Sequence, residues 1–225
     1  NPQRWSPPFR ALPPLAQHLG GRLVAFPTPT DELEQAGWAD LLEEARSGTV
    51  TFAGGSLRIS PTPAMTLIDV DGTLAPEELA LRGAAAAARA IRRLGIAGSV
   101  GIDLPTVRNK AARLAQDAAI DALLPRPFER TGVNGFGFIQ IVRPRRGPSL
   151  VELAQERASF EARALLRRAA RSTGVIGLAA HPAVIGAILP GWMDALARQV
   201  GGAHRVGAAV GAEQAQPIGG LAGQQ

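Results

Sequence analysis

Residues 64–103 read AMTLIDVDGTLAPEELALRGAAAAARAIRRLGIAGSVGID, and the fold turns on this stretch. AMTLIDV (64–70) is a short apolar run and predicts a buried strand. Pro76 to Leu94 predicts a helix, with proline in its first turn and alanine along its length. Gly95–Gly98 is a turn, and Ser99–Asp103 predicts a second apolar strand. Pro105 to Leu124 predicts a second helix, stopped before Pro125. Strand, helix, strand, helix implies a right-handed crossover between two parallel strands. Their C-terminal ends then share one sheet edge, where open α/β sheets place their sites.

Working outward, Thr49–Phe52 and Ser56–Ile59 predict a hairpin joined by Ala53–Gly54–Gly55. Pro61 and Pro63 break the chain, and a further strand pair is expected around Arg130 and Phe136–Val142. Thr30–Asp31–Glu32 reads as the start of a helix reaching about Ala45, a capping side chain followed by acids. Residues 1–30 are proline-rich and irregular apart from a short strand at Arg22–Phe26. Ser149–Arg171 predicts one long basic helix. A strand at Val175–Ala179, helices at Pro182–Leu189 and Trp192–Val200 and a last strand at His204–Val210 follow. The Gly, Ala and Gln-rich end from Gly211 is expected to fray. The fold class expected is α/β: a mixed sheet with a βαβα core and a small C-terminal α/β unit.

The chain has 225 residues, 46% of them hydrophobic, which is an ordinary globular balance. Lys+Arg number 24 against 19 Asp+Glu, a net +5. Nearly all that positive charge is arginine, the side chain suited to phosphate, so a nucleic-acid partner is allowed. The absence of cysteine excludes disulfides, thiolate zinc sites and cysteine nucleophiles. His18, His181 and His204 are too scattered for a metal cluster. No apolar run is long enough to span a membrane and no signal peptide is visible, so a cytoplasmic protein is expected. The chain opens on Asn1 and runs into prolines, which predicts a fragment or a trimmed product.

Three carboxylates stand out. Asp69 and Asp71 lie two apart at a strand end and share a face, and Asp103 ends the second strand. Adjacent strands sit about 4.8 Å apart, so if these two strands are neighbours Asp69 and Asp103 can face each other. Two such carboxylates repel unless a proton or a cation lies between them. Mg²⁺ or Mn²⁺ suits an all-oxygen pair. The plainer alternative is that the aspartates cap the helices that follow. LIDVDGT also matches the first motif of the haloacid-dehalogenase phosphatases. The rest of that pattern fails, since Lys110 is the only lysine and no late acidic pair follows.

GGSLRISPTPAMTLIDVDGT (54–73), GSVGIDLPTVRNK (98–110) and FERTGVNGFGFIQIVRPR (128–145) together resemble the catalytic core of the ribonuclease E/G family. GWADLLEEARSGTVTF (37–52) resembles the helix before its hairpin. The likeness covers about residues 37–150 and is closest to the short, cysteine-free proteobacterial members, here truncated at the N-terminus. The resemblance implies a DNase-I-like catalytic subdomain at 49–147 and the remnant of a ribonuclease-H-like subdomain with its linker at 1–48. A small C-terminal unit with a flexible end would occupy 148–225.

It also implies an Mg²⁺-dependent endoribonuclease that hydrolyses single-stranded RNA to 5′-phosphate and 3′-hydroxyl ends, in RNA processing or decay. Asp69 and Asp103 would hold the metal, and Asp71, where the long enzymes usually carry Asn, would support it. The family's S-R-F-G becomes Asn134–Gly137 here, without the arginine that recognises an RNA 5′-monophosphate. The candidate RNA contacts are Arg108, Lys110, Asn134, Phe136 and Arg143. Phe136 and Phe138 are expected on one strand face, where one stacks a base or both pack the core. Arg163, Arg167, Arg168 and Arg171 are expected on a solvated or subunit-facing helix side, and any homo-oligomer would form without a zinc link. The alternative functions are a catalytically weakened RNA-binding protein of the same fold and the phosphatase.

Overall fold

The computed structural model describes residues 31–201 and 204–208. The expected strand at Arg22–Phe26, His18 and the segment beyond residue 208 lie outside them. The described residues divide into two compact units, one of Leu33–Gln155 and one of Asp31, Glu32 and the residues from Glu156 onward.

The first unit holds a six-stranded mixed sheet, so the chain is α/β. Its strands are β1 (Thr49–Phe52), β2 (Gly55–Pro61), β3 (Thr66–Gly72), β4 (Gly98–Asp103), β5 (Glu129–Arg130) and β6 (Phe138–Arg143), ordered β1-β2-β3-β4-β6-β5. Only β3 and β4 pair in parallel. A two-residue turn at Ala53–Gly54, with Gly54 at φ +91°, closes the first hairpin. Thr62 makes the second turn, its Oγ1 donating to the Met65 carbonyl at 2.7 Å.

One face of this sheet is the core. Val50, Leu57, Ile59, Ile68, Val70, Val100, Ile102, Ile139 and Ile141 are buried there, each contributing about 1.5–3 kcal/mol where the side chain is large. The strand expected to be buried outright instead alternates: Thr66, Ile68 and Val70 point in, Leu67, Asp69 and Asp71 point out. Such alternation marks a sheet covered on one side only.

Helix α1 (Glu32–Gln35) and helix α2 (Trp38–Ser47) replace the single helix expected there. Gly37, at φ +84°, breaks them apart. Helix α3 (Pro76–Arg93) packs on β2 and β3. Gly83 lets it approach closely, since a Cβ there would lie 2.4 Å from Val70 Cγ1. Helix α4 (Lys110–Leu123) lies against α3. It starts five residues later than expected from Pro105, because Asn109 is the cap and its Oδ1 accepts from the Ala111 N–H at 2.9 Å.

The long basic helix is also two: α5 (Leu150–Gln155) and α6 (Arg157–Ala169), broken at Glu156. Ser149 and Glu152 form a reciprocal capping box that starts α5.

The second unit adds β7 (Ile176–Ala180), α7 (Pro182–Gly186), α8 (Pro190–Val200) and β8 (His204–Ala208), with β7 and β8 parallel. Leu178, Leu196 and Val200 are its core. Arg163 and Arg167 on its first helix, and Arg171 just past it, are engaged rather than merely solvated. Asp31 takes Arg167 at 2.8 Å and Arg171 at 3.2 Å, and Arg163 lies over the Trp192 ring. No helix among the described residues is long and apolar enough to cross a membrane.

Candidate functional site

The parallel register pairs Asp69 directly with Asp103. Both are solvent-exposed: Asp103 is the last residue of β4, Asp69 lies midway along β3 where the parallel pairing ends, and Asp71 follows on the same face of β3. The three predicted carboxylates therefore share one sheet edge. Burial, then the charges of Asp71 and Asp103, push the Asp69 carboxyl above the ordinary aspartate range. The Val70 N–H and Arg58 pull the other way. Among the described residues, no three or more His, Asp or Glu side chains gather tightly enough to form a metal cluster by themselves.

A second loop is tied to the same edge. The Leu104 N–H donates to the Gly137 carbonyl at 3.1 Å, and Thr106 Oγ1 donates to the Phe136 carbonyl at 2.9 Å. Gly137, at φ +92°, is required there, because a Cβ would sit 2.1 Å from the Leu104 carbonyl oxygen. Asn134 closes the loop: its Oδ1 accepts from the N–H groups of Phe136 and Phe138 at 2.9 and 3.0 Å. Asn134 is thus a backbone clamp. Phe136 is not on the strand as expected; it stands in the turn with its side chain 82% exposed. Phe138 begins β6 and pairs with Asp103, so it lies on the open face and not in the core.

Arg108 and Lys110 come after Asp103, though only Lys110 is helical. The Arg108 carbonyl, with that of Val107, accepts from Arg113 Nη1 at 2.8 Å, which fixes this approach to the helix.

Arg143 does not join the site. It pairs with Gly98 at the opposite end of β4 from Asp103, and its Nη1 donates to the Ile96 carbonyl at 3.0 Å. Burial lowers its pKa. Its neighbour Arg145 is paired with Glu152 at 2.8 Å. Arg143 and Arg145 are thus spent on structural contacts.

Arg58 was not singled out from the sequence, yet it pairs with Asp69 from β2 on the same open face. Its place depends on the β2–β3 register, which the alternation of Leu57 and Ile59 would have set once one buried face was assumed. Neither the known family models nor the curated proteins compared with this sequence match it.

Proposed function

We propose that the first unit is a DNase-I-like catalytic subdomain and that the chain is a Mg²⁺-dependent endoribonuclease of the ribonuclease E/G type. The observation that carries this reading is the direct pairing of Asp69 with Asp103 where the parallel β3–β4 ladder ends. An oxygen-only pair suits Mg²⁺, which keeps several waters and takes one or two carboxylates plus phosphate oxygens. The raised Asp69 pKa supports it, since an unneutralised pair carries mutual repulsion that a cation would relieve. When bound, Mg²⁺ or Mn²⁺ supplies Lewis-acid stabilisation of the phosphate and acidifies a water.

The chain's own side chains do the rest. Asp69 and Asp103 hold the cation, and Asp71 accepts a hydrogen bond from the attacking water. Arg108 and Lys110 flank the path of the RNA backbone. The Asn134 loop presents Phe136 beside the edge. Water attacks phosphorus, the bond from phosphorus to O3′ breaks, and O3′ takes a proton. The products are a 5′-phosphate and a 3′-hydroxyl. The proposed substrate is single-stranded RNA and the proposed setting is the cytoplasm.

The test is product chemistry. A labelled single-stranded RNA incubated with Mg²⁺ should yield fragments that a 5′-monophosphate-dependent exonuclease degrades. Fragments ending in cyclic or 3′-phosphate would refute hydrolysis of this kind. Turnover of a chromogenic phosphomonoester would instead favour the phosphatase suggested by LIDVDGT. RNA bound without cleavage would favour a weakened binding protein.

A further inference from the structure

The open face of the sheet carries a row that crosses four strands. Register places Arg58 on β2 opposite Asp69 on β3, Asp69 opposite Asp103 on β4, and Asp103 opposite Phe138 on β6. With strands about 4.8 Å apart, the row spans roughly 14 Å. The Phe138 side chain is laid against the sheet over Gly101: a Cβ on Gly101 would fall 2.6 Å from Phe138 Cζ and 3.0 Å from Leu67 Cδ2. Leu67, 39% exposed, borders the same spot. In the neighbouring row, Gln140 Nε2 donates to Ser99 Oγ at 3.1 Å, which holds a polar amide beside the ring. Arg58 has no close ion pair or hydrogen bond among the described residues. An aromatic ring on an open sheet face, next to carboxylates and flanked by an available guanidinium, has the composition of a nucleotide subsite: stacking surface, phosphate position, cation.

We propose that Phe138 is the stacking platform for the nucleobase beside the phosphate at Asp69 and Asp103, with Arg58 taking the next phosphate at the other end of the row. The proposal rests on the nuclease reading and adds a base-binding position to it. Stacking on the outer side of one half-buried ring needs a base whose face is free, so this subsite selects unpaired strands. It tolerates any base, since each has a π-face.

The test is binding of a fluorescein-labelled single-stranded oligoribonucleotide in Ca²⁺, with a gel to verify that the RNA stays intact. Phe138→Ala and Phe138→Leu should each weaken binding about tenfold, whereas Phe138→Trp should retain it. Gly101→Ala, which pushes the ring off the backbone, should weaken binding in the same direction. Arg58→Ala should weaken binding and flatten its salt dependence, because one phosphate contact is lost. A matched series of oligoribonucleotides, each with one abasic position, supplies the decisive arm. At one position the abasic strand should bind wild type about tenfold more weakly, and there Phe138→Ala should cost nothing further. Unchanged binding by the Ala and Leu variants overturns the proposal, as does an equal loss at every abasic position. Rescue by Leu also overturns it, since that marks a packing role. Cleavage by wild type with no Phe138 effect removes the platform and leaves the nuclease. The Phe138 pattern without any cleavage keeps the platform and removes the nuclease. Failure of wild type to bind the strand at all removes both.

Discussion

Asp69→Asn should make the metal-free protein more stable at neutral pH and the metal-loaded protein less so. Burial and the charges of Asp71 and Asp103 raise the folded-state pKa of Asp69. A raised carboxyl contributes stability that is fully present below its unfolded pKa and lost as pH rises through the folded value. At pH 7 the charged side chain therefore costs stability, and Asn removes that cost. The magnitude follows from the sheet. Asp103 is one strand away, about 4.8 Å, and Asp71 is two residues along, about 6.5 Å. In water-like surroundings these repulsions are worth about 0.8 and 0.6 kcal/mol. Arg58, paired opposite Asp69, offsets about one of them, and salt screens all three. The net is about 0.5–1 kcal/mol, or a melting temperature roughly 1–4 °C higher in EDTA. Near pH 3 the variant and wild type should converge. Mg²⁺ at a hundredfold excess over its Kd should then stabilise wild type by about 2.7 kcal/mol and the variant by much less, reversing the order. Thermal melts at both pH values, with and without Mg²⁺, check this. A variant that melts below wild type in EDTA at pH 7 would refute the repulsion on which the site rests.

Arg130 ties α4 to the β5–β6 end, holding Asp117 at 2.9 Å and Asp121 at 2.6 Å. Arg130→Ala should cost about 1–3 kcal/mol in urea unfolding. Arg130 lowers the Asp121 pKa, so this stability is present above the unfolded value and lost as pH falls through the folded one; the variant's acid limb should be flatter. Gly83→Ala should destabilise by about 1–3 kcal/mol through the clash with Val70, although alanine is the better helix former; denaturant midpoints measure it. Asn134→Ala leaves the Phe136 and Phe138 N–H groups without their shared acceptor. It should cost about 1–2 kcal/mol and slow RNA cleavage. Stability retained with cleavage unchanged would show that the loop has no part in the site.

The strand and helix order around Asp69 and Asp103 was legible because period-2 and period-3.6 patterns alternate cleanly there, with glycine and proline between them. The pairing of the two aspartates followed from that order once the two strands were taken as neighbours, which the sheet bears out. What was not legible depends on contacts distant in sequence. Nothing local says that Phe138 lies over Gly101, because a strand phenylalanine reads the same on either face until register is known. Arg143 read as a free basic residue, yet the antiparallel pairing of β4 with β6 carries it to the wrong end of the sheet. The break at Glu156 has no glycine or proline to announce it. Asn109, by contrast, is an ordinary capping residue, and it competes successfully with Pro105 as the start of α4 because Leu104 and Thr106 are spent holding the Phe136 loop.

The most direct test of the central claim is cleavage of a fluorescent single-stranded RNA in Mg²⁺ by wild type, Asp69→Asn and Asp103→Asn. Removing one metal-bound charge should cost several kcal/mol of transition-state stabilisation, a rate loss of about a hundredfold or more. Wild type should cleave the strand, and activity should be lost in both variants and in EDTA. Cleavage that persists in either variant, or no cleavage by wild type, would contradict the claim.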